Sequence, residues 1–253
     1  MDEIVVRLAR ALASLERLQI LSRLVAAGER SPTRLSRELQ MSLNSLSGHF
    51  AKLAVAGLIK RRRSGRWSYC VGDSPYNPAT LSGRMVAWLR GVLSKPKRTL
   101  ENCGDEEVHR LSVEEAQTRV HKLVFEAATA FTDLRRIQIL RHLATGAEVT
   151  AEAMGKELSM SAGAVSRHTN KLMRRGYLST AASLAPRTPS AMAAGGRPVP
   201  AAAQTRHSRR NVSLRSAGRP ALYRLAPKFK TPVHAGLFEI VRSTWGPKEL
   251  RTS

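Results

Sequence analysis

Three side chains that can read bases recur at a helical interval near residue 170. Arg167, Asn170 and Arg174 are three and four residues apart, so a helix carries them on one face. Gly163 lies one turn earlier on that face. Guanidinium and carboxamide groups form paired hydrogen bonds with guanine and adenine edges. Lys171 lies beside this face, where its ammonium group suits a phosphate. This spacing predicts contact with duplex nucleic acid.

A second stretch of the same kind lies earlier in the chain and carries different chemistry. Its equivalent helical face holds one amide, Asn44, and otherwise glycine, alanine and valine, which cannot hydrogen-bond to a base. Lys52 and the run Arg61–Arg63 follow, with Arg66 after a Ser-Gly pair. So many cations on a short segment repel one another, which favours a polyanionic partner. We hypothesise that this stretch anchors through phosphates and that the later one reads most of the base sequence.

The candidate DNA contacts come from both stretches and from a basic segment near residue 215. Ser42 and Ser161 precede helices, so we expect them to act as N-caps that also donate to phosphate. Ser47 and Ser166 flank the face directed at DNA, with an ordinary helical position as the alternative. The full set is Ser42, Asn44, Ser47, Lys52, Arg61, Arg62, Arg63, Arg66, Ser161, Gly163, Ser166, Arg167, Asn170, Lys171, Arg174, Arg215 and Arg219.

The chain repeats itself at an interval of 119 residues. Leu15–Ile59 aligns with Leu134–Leu178 without a gap, and sixteen of the 45 positions are identical. Chance gives roughly one identity in fifteen to twenty positions. We therefore interpret the chain as the duplication of one domain. The identities include Arg17/Arg136, Glu38/Glu157, Ser42/Ser161, His49/His168, Lys52/Lys171 and Gly57/Gly176.

Each copy is predicted to contain a helix-turn-helix followed by a β-hairpin. In the first copy Ser31-Pro32 starts a short helix, Ser42 starts a second one, and Gly57 ends it. The residues after Gly57 then follow the pattern of strand, tight turn and strand, which is a wing. In the second copy the wing is displaced to residues 215–225, because a segment rich in Ala, Pro, Ser and Arg precedes it.

The predicted fold is mainly α with small β-hairpin wings, arranged as two tandem winged helix-turn-helix domains. Residues 1–94 form the first domain and residues 95–112 a polar linker. Residues 113–253 form the second domain, with a flexible basic insertion at about 179–211. The insertion is either a passive surface loop or an arm that enters a minor groove. A chain of 253 residues is long enough for two ordinary cores.

The charge is concentrated on the elements predicted to approach DNA. The formal net charge is +23, which points to a polyanionic partner. No acidic residue occurs from Leu39 to Gly72, where six Lys and Arg lie, or from Leu158 to Phe238, where fourteen lie. Each window contains a predicted recognition helix and wing. This placement favours double-stranded DNA over an anionic membrane surface.

The two copies together resemble the ArsR-type winged helix-turn-helix regulators. The resemblance rests on RLQILSRL, LSRELQMSLNSLSGHFAKLAVAGLIKRRRSGRWSYCV, RIQILRHL and MGKELSMSAGAVSRHTNKLMRRGYL. It implies a transcriptional regulator, usually a repressor, that binds promoter operators and dimerises through the first and last helices of each domain. Members of that family are single-domain dimers, so two copies in one chain suggest an intrachain pseudo-dimer, with a homodimer as the alternative.

Catalysis, metal sensing and export are all disfavoured. The metal sensors of that family carry cysteines beside the Glu-Leu pair, whereas Gln40-Met41 and Ser159-Met160 stand here. We find no GxSxG, P-loop or HExxH motif, and expect neither an enzyme nor a metal or other cofactor. We expect a cytoplasmic, nucleoid-associated protein without a membrane partner. A nonspecific architectural DNA-binding protein is the alternative function, and a winged helix that contacts only proteins is a third.

Two histidines and one acidic cluster have competing interpretations. His49 and His168 lie beside the apolar stripe of each recognition helix, where a structural hydrogen bond is favoured over a base contact or a metal ligand. Cys103 lies near Asp105, Glu106 and His109, which are metal-capable types. They lack compact ligand spacing and fall in the predicted linker, so we do not assign a metal site there.

Overall fold

The computed structural model describes residues 1–65, 67–180 and 221–246, and over these residues the chain is mainly helical with two small antiparallel sheets. This agrees with the predicted mainly α fold with small β elements. The helices are α1 (Asp2–Leu12), α2 (Leu15–Ala27), α3 (Pro32–Leu39), α4 (Leu43–Val55), α5 (Leu81–Ser94), α6 (Pro96–Asn102), α7 (Val113–Thr129), α8 (Leu134–Leu143), α9 (Ala151–Glu157), α10 (Ala162–Arg174) and α11 (Pro232–Arg242). The strands are β1 (Lys60–Ser64), β2 (Trp67–Val71), β3 (Val149–Thr150), β4 (Leu178–Thr180) and β5 (Leu222–Leu225).

The same order of elements occurs in both halves of the chain. Four helices, a strand pair and a last helix run from α1 to α5, and again from α7 to α11. Helices α4 and α10 correspond at both ends under a shift of 119 residues. The extra strand β3 also has a counterpart, because Arg30 forms an isolated bridge with Cys70 where Val149 pairs with Tyr223.

Both helix-turn-helix turns use the same backbone conformation. Gln40 has a φ of 52° and Ser159 a φ of 50°, and among the described residues no other non-glycine residue has a positive φ. The left-handed conformation reverses the chain between the two helices in a tight turn. The recognition helices then start at capping serines and are followed by Gly57 and Gly176, with φ values of 70° and 72°.

The first sheet is the predicted wing, and the second sheet is more irregular. Strands β1 and β2 pair antiparallel with Lys60 opposite Val71 and Ser64 opposite Trp67. In the second half β5 lies between β3 and β4 and pairs antiparallel with both. The strand after α10 continues to Thr180, two residues into the insertion predicted from about residue 179. The rest of that insertion lies outside the described residues.

One hydrophobic core runs through both halves. Helix α1 packs against α7, and α5 packs against α11. Helix α1 buries residues on most of its circumference, including Val5, Leu8 and Ala9, while α7 buries Val124 and Ala128. An α-helix that is apolar on so much of its surface must be covered on more than one side.

The segment predicted as a polar linker is folded and partly buried. Residues 96–102 form α6, which starts with proline at its first position and packs against α7 and α5. Leu100 and Val108 are 2% and 3% exposed, and the Thr99 hydroxyl donates to the Val92 carbonyl at 2.8 Å. Polar composition concealed these contacts, because the few apolar residues are the ones that face the core. The domain boundaries at 94 and 113 stay a prediction.

Candidate nucleic-acid interface

Helix α10 presents a basic, solvent-exposed face. Ser161 caps its start, where its Oγ accepts from the Ala164 amide at 3.3 Å, so the predicted cap is confirmed. The opposite face buries Val165 and Leu172 in the core. This anchoring directs the remaining side chains to solvent. The exposed residues on α10 are Gly163, Ser166, Arg167, Asn170 and Arg174, with Lys171 half-buried.

The cations of α10 gather around an open cleft of about 610 Å³. Arg167, Lys171 and Arg174 line it together with Arg136 of α8. Burial and the positive charges of Arg175, Arg136 and Arg174 lower the pKa of Lys171 below its usual value. Cations held this close raise the local positive potential and favour a bound anion. The cleft therefore suits a backbone phosphate at the edge of a groove.

Helix α4 is placed in the same way but is poorer in polar groups. Ser42 Oγ accepts from the Ser45 amide at 3.2 Å, which confirms the cap. Asn44, Ser47 and Lys52 are exposed, whereas Leu46, Phe50 and Leu53 face the core. Nothing lies within 4 Å of the position that a Cβ would take on Gly48. The face is therefore open to a partner, with few groups that could hydrogen-bond to bases.

Lys52 lines a second cleft, of about 480 Å³, next to α4. Arg17 corresponds to Arg136 of the first cleft, and Arg7 and Arg10 of α1 add further positive charge. The sequence analysis did not single out Arg7 and Arg10. They are three residues apart on an amphipathic helix, but only the folded structure shows that they line the same cleft as Lys52.

The repeated arginine beside each cleft has a structural role. Arg17 Nε donates to the Ala11 carbonyl at 2.6 Å, and Arg136 Nε donates to the Ala130 carbonyl at 2.9 Å. These carbonyls lie at and just after the ends of α1 and α7, where helices leave acceptors unpaired. Burial lowers the pKa of both guanidinium groups. An arginine stands at this position in both copies because its guanidinium group links the first helix of each half to the second.

The wing arginines are exposed but not equivalent. Arg61, Arg62 and Arg63 lie on β1, where successive side chains point to opposite faces. Arg62 forms a bidentate ion pair with Glu29, with both N–O distances at 2.7 Å, and its guanidinium lies 5.8 Å from the centre of the Tyr69 ring. The prediction that treated the three alike missed this pair, although Glu29 is itself repeated as Glu148.

The second half has a corresponding ion pair at its strands. Arg224 of β5 lies 2.8 Å from Glu148. In both halves an acid that precedes the helix-turn-helix therefore holds an arginine of the strand pair. Arg66, Arg215 and Arg219, three of the predicted DNA contacts, lie outside the described residues.

The two repeated histidines lie on α4 and α10 and face α2 and α8. His168 is 8% exposed, and burial lowers its pKa despite Asp133, whose carboxylate lies 4.0 Å away. Burial and Arg17 likewise lower the pKa of His49. Burial thus favours the neutral form of both imidazoles, but among the described residues neither Nδ1 has a hydrogen-bond partner, so the expected structural hydrogen bond stays a prediction.

The described residues contain neither a metal-binding cluster nor a membrane-spanning helix. Among residues 1–65, 67–180 and 221–246, no group of three or more His, Cys, Asp or Glu is arranged to hold a metal ion. Over the same ranges no helix is long and apolar enough to cross a bilayer. Cys103, Asp105, Glu106 and His109 thus form no such group.

Residues 132–185 match the model of the MarR family, a family of transcription regulators rather than enzymes. The match begins just before α8 and runs past β4, so it includes the helix-turn-helix of α9 and α10. No curated protein and no solved structure matches the chain. The resemblance to ArsR-type regulators stays a prediction. Together with the geometry over the same residues, the match supports a DNA-binding transcriptional regulator of the winged helix-turn-helix type.

Proposed function

We propose that the chain is a sequence-specific transcriptional regulator that binds promoter operators through two winged helix-turn-helix domains and represses transcription. The observation that carries the proposal is the exposed basic face of α10 and its cleft, within the segment that matches the MarR family. Repression is what the ArsR-type resemblance implies. An operator that overlaps a promoter would let the bound chain block access to it.

The proposal of two tandem domains is supported by features that recur at one interval. The left-handed turn residues Gln40 and Ser159, the ends of α4 and α10, and the buried Arg17 and Arg136 all lie 119 residues apart. The left-handed turns add to the sequence identities, because Gln40 and Ser159 differ in residue type and still adopt the same backbone conformation. The chain then carries either an internal pair of DNA-binding domains or two domains that also pair with a second copy.

We further propose a division of labour between the two recognition helices. Arg167, Asn170 and Arg174 of α10 are exposed and can form paired hydrogen bonds to base edges. The equivalent exposed positions of α4 are Gly48, Ala51 and Val55, which offer at most apolar contact with a thymine methyl group. Helix α10 then supplies most of the specificity, while Lys52 and the wing of the first half supply phosphate contacts.

The experiment compares specific with random DNA. A preferred duplex is first selected from a random pool with the full chain, and the affinities for it and for random duplex are then measured for the wild type and for Arg167→Ala. Loss of a bidentate contact is expected to cost about 1–3 kcal/mol on the preferred duplex only. Arg110→Ala, which removes an exposed arginine of the connecting segment, is the matched control.

The outcomes separate the proposal from its alternative. If Arg167→Ala leaves the ratio of specific to random affinity unchanged, the assignment of base reading to α10 is wrong. If the wild-type ratio is itself near one, the chain is a nonspecific architectural protein. Repression is then tested with a reporter gene whose promoter carries the selected sequence. If the chain is a repressor, expression of the reporter should fall when the chain is present.

A further inference from the structure

The two halves pack against each other through equivalent helices, as the subunits of a two-fold symmetric dimer do. The first helix of one half contacts the first helix of the other (α1 with α7), and the last contacts the last (α5 with α11). Helix α2 contacts α7, and its counterpart α8 contacts α1. Such reciprocal contacts define an isologous interface. This observation builds on the proposed function, in which each half is one DNA-binding domain.

Two polar contacts at this interface are equivalent in position but different in chemistry. Ser22 Oγ lies 2.6 Å from His121 Nε2, and Gln117 Nε2 donates to the same serine hydroxyl at 2.8 Å. On the other side, Arg141 donates to the carboxylate of Asp2. Under the shift of 119 residues, Ser22 is equivalent to Arg141 and Asp2 is equivalent to His121. The same contact is thus neutral on one side and ionic on the other.

These contacts are complementary only when unlike halves pair. Two first halves related by the same symmetry would place Asp2 of each opposite Ser22 of the other, so two part-buried carboxylates would lose their guanidinium partners. Two second halves would place Arg141 opposite His121, whose imidazole burial already keeps neutral. A part-buried Asp2 without its guanidinium partner is costly, and this cost selects against the pairing of two first halves.

The last helices of the two halves also meet closely. A Cβ on Gly236 of α11 would lie 2.7 Å from Trp88 Nε1 of α5, so the indole of one half rests directly on a glycine of the other. Arg84 of α5 donates to the hydroxyl of Ser243, just after α11. The close fit of Trp88 therefore depends on the absence of a side chain at position 236.

The connection between the halves is short and held in place. Helix α6 and the turn at Val108–Arg110 fill the space between α5 and α7, and Leu100 is buried there. Arg119 of α7 forms an ion pair with Asp105 at 2.8 Å. A packed connection keeps the two halves of one chain next to each other, so a second chain gains little by replacing either half.

We propose that the chain is a self-contained heterodimer of its two halves, which binds an asymmetric DNA target as a single chain. A homodimer of identical domains reads two identical half-sites related by two-fold symmetry. Here the two recognition helices differ at the positions that face DNA, and the order of the halves is fixed by the chain. The target therefore has no two-fold symmetry, and most of its defined bases lie on the side that α10 contacts.

The first test measures mass and target symmetry with the full chain. Light scattering over a range of concentrations gives the mass of the free chain and of its complex with the duplex selected from the random pool. One chain per duplex and a selected motif without two-fold symmetry are expected. Two chains per duplex on a palindromic motif would overturn this proposal and leave the proposed function standing. A single chain without affinity for any duplex would contradict the proposed function and leave the pairing of the halves intact.

The second test measures the ionic contact itself by thermal unfolding. Asp2→Asn and Arg141→Gln are each expected to lower the melting temperature by roughly 2–4 °C. The double variant should lose clearly less than the sum, because both substitutions remove one shared contact. Glu3→Gln, which removes the same charge from the same exposed helix turn, is the control and should change little. Additive losses would show that the two residues do not act across the halves, against the proposal.

Discussion

His121 illustrates how a buried side chain at the interface of the halves couples stability to pH. Burial lowers its pKa from 6.5 to about 4. Between these values the unfolded imidazole binds a proton that the folded one does not, so acid favours unfolding. The free energy of unfolding should fall by up to about 1.4 kcal/mol per pH unit as the pH drops through this window.

Chemical denaturation at a series of pH values measures this dependence. His121→Gln should flatten the slope, because glutamine does not titrate. His234, whose pKa burial and the positive charge of Lys230 lower to about 4, contributes a second slope of the same sign that the variant retains. An unchanged profile in His121→Gln would mean that the folded imidazole is not kept neutral by its surroundings.

Arg62 and Arg63 are neighbours on the wing and should respond differently to substitution. Glu29 already neutralises the charge of Arg62. Arg62→Ala therefore removes no cation that is free to contact a phosphate, although it leaves the Glu29 carboxylate on the same surface. We expect Arg63→Ala to weaken binding to random duplex more than Arg62→Ala, and to reduce the salt dependence by about one phosphate contact.

The double variant Arg62→Ala with Glu29→Gln is the control for this comparison. It removes the pair without leaving a net negative charge, so its affinity should lie close to that of the wild type. Suppose that Arg62→Ala loses as much affinity for DNA as Arg63→Ala and that the double variant does not recover it. This result would show that Arg62 leaves Glu29 to contact DNA.

Each recognition helix ends at a glycine that the fold requires, and this can be tested at the scale of the element. Gly176 has a φ of 72°, and a Cβ there would lie 2.7 Å from Lys230 Cβ. Gly176→Ala should therefore lower the free energy of unfolding by more than about 1 kcal/mol. Gly48→Ala should raise it by about 0.5–1 kcal/mol, because Gly48 is helical and open to solvent.

Denaturant titration of both variants gives the two signs in one experiment. The pair is matched, since each adds one methyl group at or next to a recognition helix. Equal effects would contradict the left-handed conformation assigned to Gly176.

The elements were largely predictable because their signals are local. Caps such as Ser42 and Ser161, the terminating glycines, and the strand pattern after Gly57 each depend on neighbouring residues only. The packing of α6 was not predictable, because it depends on a few apolar residues such as Leu100 meeting a distant helix. The same holds for the site. The spacing of Arg167, Asn170 and Arg174 predicted the exposed face of α10, but no sequence pattern predicted that Arg7 and Arg10 line the cleft beside α4.

At the scale of the whole molecule, the charge distribution and the pairing of the halves act together. The formal net charge is +23, and the acids Glu29, Asp2 and Glu148 each form a specific ion pair with an arginine. Under the proposed function, the two recognition helices of one chain would contact successive major-groove faces about one helical turn apart. Tethering raises the effective concentration of the second half once the first is bound.

The salt dependence of duplex binding by the full chain tests the proposed DNA-binding role most directly. Fluorescence anisotropy of a labelled duplex is measured at several salt concentrations. If about six phosphates are contacted, the affinity should fall by roughly a thousand-fold between about 50 and about 200 mM salt, because binding releases condensed counterions. No measurable binding at the lowest salt concentration, or an affinity that does not change with salt, would contradict the assignment of the basic faces of α4, α10 and the wing to DNA.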